Sequence, residues 1–266
     1  DYNFSYLWQA PFLATSYLLI FITCVVLLSR LLQVGMKPGD YSIYGFTYYR
    51  KWMKDQLMNL SLTVLHPLYA SVYISSYYRL LGAKVGKNTE ISTASDVSHN
   101  LLEIGADSFI ADAVILGEHD VKNEVLHLKN TRIGNTCFVG NSGLIPQGYH
   151  LKDKTLIGVL SKAPEEELQA AQENVDWFGS PPIALPSRQK MAGFEDKRTF
   201  SPSFGLKLSR AVVEGLRIIL PQTCIIICSV LLIAYAHDLL QMSIGKLLLY
   251  IPMYYLFFMG IPLFLV

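Results

Sequence analysis

From Val85 to Gly158 an aliphatic residue returns about every six positions, and a glycine or another small residue often follows it. The series begins Val85-Gly86, Ile91-Ser92, Val97-Ser98, Ile104-Gly105, Ile110-Ala111 and Leu116-Gly117. It resumes with Ile133-Gly134, Val139-Gly140, Ile145-Pro146, Leu151 and Ile157-Gly158. An amphipathic helix repeats its apolar positions at three and four, and a half-buried strand repeats them at two. Neither period explains a spacing of six with a small neighbour. A solenoid does, because each coil is built from three short strands and each strand turns one aliphatic inward. The pattern therefore predicts a parallel β-coil over residues 81–161. Two irregularities interrupt it: an extra residue near Leu101–Glu103, and a longer stretch from Gly117 to Asn130. Loops that leave a rigid coil are where function usually resides.

The flanks follow a different pattern. Pro11–Leu28, Ile218–Ala236 and Leu247–Val266 are apolar runs without a charged residue, long enough to cross about 30 Å of hydrocarbon as helices. The first lacks the basic n-region and small-residue cleavage site of a signal peptide. With Asp1 as first residue and an apolar run at the end, the chain reads as a piece of something longer. Between the first run and the coil, Tyr41, Tyr44, Phe46, Tyr48, Tyr49 and Trp52 crowd around Arg50, Lys51 and Lys54. That mixture predicts helices lying at the level of the lipid headgroups. The expected division is a first transmembrane helix in 1–35, interfacial amphipathic helices in 36–80 and the coil in 81–161. An extended Pro-rich arm follows in 162–205, and two more transmembrane helices in 206–266.

Composition agrees. The chain of 266 residues is 52% hydrophobic and 16% charged, with a mean hydropathy of +0.32, against roughly 25% charge in ordinary soluble domains. A net charge of +1 speaks against nucleic acid as a partner, for which a basic patch is needed. Lys and Arg near the runs fix an orientation: Arg30, Lys37, Arg50, Lys51 and Lys54 follow the first, and Lys207, Arg210 and Arg217 precede the second. The coil is thereby placed on the cytoplasmic side of a multi-pass protein of the cell's inner (plasma) membrane. The four cysteines form neither a disulfide framework nor a zinc spacing.

Acyl transfer to an amine needs a group that takes a proton from nitrogen and donors for the oxyanion. Histidine is the natural base near neutral pH. His119, in Gly117-Glu118-His119-Asp120 at the start of the longer irregularity, is the leading candidate, and His99, in Ser98-His99-Asn100, is the second. Asp112 is a polar candidate to orient the histidine, and turns of this kind also use Asp to cap backbone. Glu118, Asp120 and Asn141 are candidates for holding a cationic substrate. No spaced set of three metal ligands is present in the sequence, so no metal is expected.

Several segments carry a resemblance. Arg79-Leu80-Leu81-Gly82-Ala83-Lys84-Val85-Gly86 looks like the start of many hexapeptide acetyltransferases. Glu90-Ile91-Ser92-Thr93, Ser108-Phe109-Ile110-Ala111-Asp112, Phe138-Val139-Gly140-Asn141 and Leu156-Ile157-Gly158-Val159-Leu160-Ser161 are more specific. With Trp177-Phe178-Gly179-Ser180-Pro181-Pro182, they resemble the membrane-embedded C-terminal region of ε-poly-lysine synthetase-like nonribosomal peptide synthetases. The resemblance implies a left-handed parallel β-helix of hexapeptide repeats flanked by transmembrane α-helices. It also implies tandem coils that join amino acids into homopolymers by amide bonds, taking aminoacyl thioesters from the phosphopantetheine arm of a carrier domain. The implied partners are membrane lipid, the carrier and adenylation domains of the same chain, and sister coils in an intramolecular or homotrimeric assembly. Two alternatives stand beside this: a membrane-bound acetyltransferase using coenzyme A, and a non-catalytic scaffold or export module of the synthetase.

Overall fold

A computed structural model describes residues 4–95, 97–165, 175–185 and 202–240, with isolated positions between 244 and 255. It divides into two compact units, Thr23–Glu214 and Asp1–Ile22 with Gly215–Val266. The expected third span, Leu247–Val266, lies outside the continuously described residues.

The larger unit is built on parallel strands visited in rotation. Strands β2 (Lys84–Val85), β5 (Leu102–Ile104), β10 (Thr131–Ile133) and β13 (His150–Leu151) form one sheet. A second joins β3 (Glu90–Ile91), β6 (Phe109–Ile110), β11 (Phe138–Val139) and β14 (Leu156–Ile157). A third joins β4 (Ala94–Ser95), β7 (Val114–Leu116) and β12 (Leu144–Ile145). Every pair among these eleven strands is parallel. Chain order passes from sheet to sheet, so the chain winds as a three-sided parallel coil. The register stacks each repeat aliphatic on the next: Val85 on Ile104, Ile133 and Leu151, and Ile91 on Ile110, Val139 and Ile157. Apart from the half-buried Val85 at the first coil, these inward columns, with Leu116 on Ile145, are buried and supply the hydrophobic stabilisation of the coil.

The small residues have an equally direct cause. A Cβ on Gly105 would stand 2.5 Å from the Gly134 carbonyl carbon, and one on Gly86 would stand 2.3 Å from the Ala106 nitrogen. Successive coils approach backbone to backbone there. The turns bend through left-handed residues with φ between 53° and 61°: Asn88, Asp107, Thr136 and Lys154 at one corner, and Ala113, Ser142 and Leu160 at another.

Both irregularities of the period become structure. The first is a 3-10 turn, His99–Leu101. The second is an antiparallel hairpin of β8 (Asp120–Lys122) and β9 (Val125–Leu128), joined on its far edge by β1 (Gly39–Ser42) from before the coil. Met36, Leu101, Leu126 and Leu128 form a small second core beneath it, with Tyr41 and Tyr48 against them. The described part of the arm extends the coil's sheet, with β15 (Asp176–Phe178) parallel to β14 and β16 (Ile183–Leu185) antiparallel at the edge.

Helix α1 (Ala10–Leu32) precedes the coil, followed by α2 (Phe46–Val64) and α3 (Ile74–Leu81); α4 (Phe204–Leu240) follows it and passes through Pro221 without ending. Two helical stretches, Tyr6–Leu32 and Phe204–Ile233, are long and apolar enough to cross a membrane. In α2 the structure shows which side of the helix faces the coil. Lys51 and Lys54 are 1% and 0% exposed, because this face of the helix is turned against the two irregular rungs of the coil.

Candidate functional site

The residues on the inner face of α2 follow helical spacing. Lys51, Lys54 and Asp55 stand at i, i+3 and i+4, so their side chains emerge together. Lys51 Nζ donates to both carboxylate oxygens of Asp55, at 2.6 and 2.8 Å. It also lies 3.3 Å from Nδ1 of His119, which arrives from the loop between β7 and β8. Asp55 Oδ2 is 4.0 Å from the same nitrogen. Lys54 Nζ donates to Asn100 Oδ1 at 3.4 Å, and Asn100 in turn donates to the Met36 carbonyl at 3.0 Å. His99, next in sequence to Asn100, packs edge-on against Tyr78 with ring centroids 4.8 Å apart. The two irregular rungs thus converge on one face of α2, the first through Asn100 and the second through His119.

The electrostatics of this cluster follow from burial. Removing an ammonium from water disfavours its charge; burial first, and the neighbouring Lys51 charge second, lower Lys54 to about 7, with Asp55 opposing them. Burial, then the charges of Lys54 and Lys51, hold His99 well below its ordinary value, so it is neutral. Its Nδ1 has no hydrogen-bond partner among the described residues. Lys51 is ion-paired with Asp55 at 2.6 Å. Two buried lysines are costly to maintain, and cost of this kind is concentrated at functional sites.

What His119 can do depends on what holds Nδ1. While Lys51 donates to it, the hydrogen of a neutral ring sits on Nε2 and the ring is a donor. If Nδ1–H turns to Asp55, Nε2 becomes an acceptor and the ring a base. The carboxylate in position to orient His119 is therefore Asp55.

The remaining sequence candidates are placed elsewhere. Asp112 sits at the corner between β6 and β7, where its Oδ1 accepts the hydroxyls of Ser92 and of Thr93, the latter at 2.8 Å. Those two bonds hold its carboxyl below the usual carboxylate range. Asn141 lies one coil away, and its Oδ1 accepts the Asp112 backbone N–H at 3.2 Å. This pair closes turns in the coil. Asp120 accepts from Lys122 at 2.7 Å in the hairpin, which lowers its carboxyl, and Glu118 is exposed. The structure brings His119 and, next to His99, Asn100 to one face of α2, packs His99 itself against Tyr78 of α3, and leaves Asp112 and Asn141 at a different corner. Among the described residues, no group of three His, Cys, Asp or Glu side chains is placed to hold a metal ion. Lys51, Lys54, Asp55 and Asn100 were missed. The i, i+3, i+4 spacing was legible, and nothing in it says which face of the helix is inside.

A three-sided parallel coil of six-residue rungs makes this a hexapeptide-repeat protein. No family model matches the chain. Over 208 residues it is 45% identical to the delta-poly-L-ornithine synthetase of Acinetobacter baumannii (strain AB307-0294), a match covering 77% of this chain and 16% of that protein. The chain is thus related to a segment of an amino-acid homopolymer synthetase, and the resemblance carried by its sequence holds. Among solved structures, a galactoside acetyltransferase in complex with coenzyme A is 16% identical, with 60% of this chain and 92% of that chain covered and a TM-score of 0.38. A maltose O-acetyltransferase from Clostridium difficile 630 is 14% identical, with 65% and 89% covered and a TM-score of 0.33. A hexapeptide-repeat-containing acetyltransferase from Vibrio cholerae is 10% identical, with 63% and 90% covered and a TM-score of 0.35. At these scores the fold assignment rests on the strand pairing of the coil itself.

Proposed function

We propose that this chain is the acyl-transfer part of a membrane-bound synthetase of amino-acid homopolymers, built on a left-handed coil. The 45% identity over 208 residues to a delta-poly-L-ornithine synthetase is the observation that carries this reading. The substrates are an aminoacyl thioester, delivered on the phosphopantetheine arm of a carrier domain, and the free amine of a basic amino acid or growing chain. In the step, the amine nitrogen bonds to the thioester carbonyl carbon, the C–S bond breaks, and the proton shed by nitrogen ends on the departing sulfur. No further reactant is needed.

His119 is the proposed carrier of that proton. It works in the state where Nδ1–H faces Asp55 and Nε2 carries the lone pair that accepts the proton. Lys51 holds the Asp55 carboxylate in place through two hydrogen bonds. α1 and α4 cross the bilayer, with the coil on the cytoplasmic side of the plasma membrane. The basic residues around the spans support that orientation whether or not they are later buried, because the rule acts on the chain as it inserts.

The test supplies the adenylation and carrier parts with labelled ornithine and follows both carrier loading and polymer length. His119→Ala should leave loading intact and slow chain growth by about 10²-fold or more. Normal polymer from a folded His119→Ala protein would overturn the role of His119. Transfer of acetyl from coenzyme A, without polymer, would overturn the synthetase reading.

A further inference from the structure

α2 is inverted relative to a helix on a water-facing surface. Such a helix turns its apolar stripe to the core and its charges to solvent. Here Lys51, Lys54 and Ser61 are buried, while Phe46 is 73% exposed, Tyr49 52% and Trp52 50%. These three rings form a stacked ladder along the outer face, with centroids 6.4 and 6.1 Å apart. Met53 and Leu60 continue the exposed side. In water this arrangement exposes apolar area that none of the described residues covers.

We propose that the outer face of α2 lies in the interfacial layer of the bilayer, so that one helix separates the lipid from the Lys51–His119 site. Three observations choose lipid as the occupant. Trp and Tyr rings, each with an apolar body and a polar edge, are the residues that concentrate at the headgroup boundary. The face is continuous with the end of the first apolar helix: Arg50 Nη2 donates to the Val34 carbonyl at 2.5 Å and the Leu31 carbonyl at 3.3 Å, and both Leu31 and Val34 are exposed. Arg50 is also stacked over the Phe46 ring at 5.8 Å, which fixes the ladder to that same end. Finally, Lys51, Lys54 and Asp55 emerge on the opposite side of the helix, and Arg50, at the end of the ladder, gives its guanidinium to backbone carbonyls of the first helix. The consequence for the site is a floor of defined thickness: a growing basic polymer would leave His119 beside the membrane rather than into open cytoplasm.

The inference rests on the reading of α1 as a membrane span, and the experiment separates the two. The chain is reconstituted in nanodiscs of ordinary phosphatidylcholine or of phosphatidylcholine brominated close to the headgroup or deep in the acyl chain. Its three tryptophans are Trp8, Trp52 and the buried Trp177. Trp177 is left in place, and the Trp52 signal is the difference between Trp8→Phe and Trp8→Phe/Trp52→Phe proteins. The Trp8 signal is the difference between Trp52→Phe and the same double variant. We expect the shallow bromines to remove about half or more of the Trp52 emission, and the deep ones clearly less, as for an interfacial ring. Quenching of Trp8 with Trp52 unchanged overturns the inference and leaves the span intact. Quenching of neither overturns both. If Trp52 is unquenched and Trp52→Asp converts a dimer to a monomer by light scattering, the face belongs to a second copy and the inference also falls.

Discussion

Lys51 Nζ lies 3.3 Å from His119 Nδ1 across 68 positions of chain, and it spends its other hydrogen bonds on Asp55, one turn along the same helix. This contact ties α2, which precedes the coil, to the longer interruption of the coil's period. It gives a buried ammonium two partners and a histidine two competing ones. The same nitrogen of His119 is within reach of a donor and close to an acceptor, so the ring's tautomer is set by residues of α2.

The first prediction concerns that pair. His119→Ala should lower polymer formation by about 10²- to 10⁴-fold, the usual contribution of a positioned proton-transfer group. Asp55→Asn should lower it as well, since an amide leaves Lys51 as the stronger claimant on Nδ1 and holds the ring as a donor. Nitrogen NMR of the His119 ring checks the cause: the Nε2-protonated form should dominate in Asp55→Asn. An unchanged tautomer with lost activity would place the effect of Asp55 elsewhere.

A second prediction separates the corner residue from the site. Asp112 accepts from Ser92 and Thr93, and Thr93 also accepts the Ala113 N–H at 2.8 Å, where the chain bends at φ +54°. Asp112→Ala should cost about 1 kcal/mol of stability, the net worth of a hydrogen bond, and leave polymer yield per folded molecule unchanged. Denaturation in detergent, paired with the synthesis assay, reads both. A folded Asp112→Ala protein without activity would return Asp112 to the catalytic candidates.

The third prediction tests the small-residue rhythm. Gly105→Ala pushes a methyl to within 2.5 Å of the Gly134 backbone. Backbone cannot yield as a flexible side chain does, so the neighbouring coils must part. Overpacking of this kind costs about 1–3 kcal/mol, and amide exchange should rise first in β5 and β10, which pair at this level. Unchanged exchange there would show that the coils are not in this contact.

That rhythm explains what the sequence made legible. Inward aliphatics and their small neighbours recur because every coil meets the same two constraints, an apolar interior and a backbone approach at the corner. A local pattern therefore predicted a global winding and marked its two breaks. The site was only half legible for the converse reason. His99 and His119 advertised themselves by interrupting the period, whereas Lys51, Lys54 and Asp55 belong to a helix whose outward side carries Phe46, Tyr49 and Trp52. Periodicity identifies the two faces of such a helix without saying which is inside. In water the aromatics would go in. Here the lysines do, and only the long-range contacts with Asn100 and His119 reveal it.

The last prediction uses the cost of that inversion. Lys54 is held at about 7 against an ordinary 10.5, by burial first and the Lys51 charge second. Between these values the unfolded chain binds a proton that the folded chain does not, so stability rises as pH increases from about 7 to 10.5 and levels off outside that window. Sign and size follow from one linkage: below pH 7 both states are protonated and the folded one bears the full penalty, on the order of a few kcal/mol. Lys54→Met keeps the aliphatic length and removes the charge. It should therefore stabilise the protein at pH 7 and flatten this rise, while leaving Lys51, Asp55 and His119 in contact. Chemical denaturation of the detergent-solubilised chain at pH 7 and pH 9.5, wild type beside Lys54→Met, measures the difference. A wild-type slope as flat as that of Lys54→Met would mean that Lys54 is protonated in the folded protein, and that its charge is stabilised by a partner other than Asn100. If Lys54→Met is more stable but makes less polymer, the neutral amine at this position is retained for function, and its destabilising burial is part of how the site works.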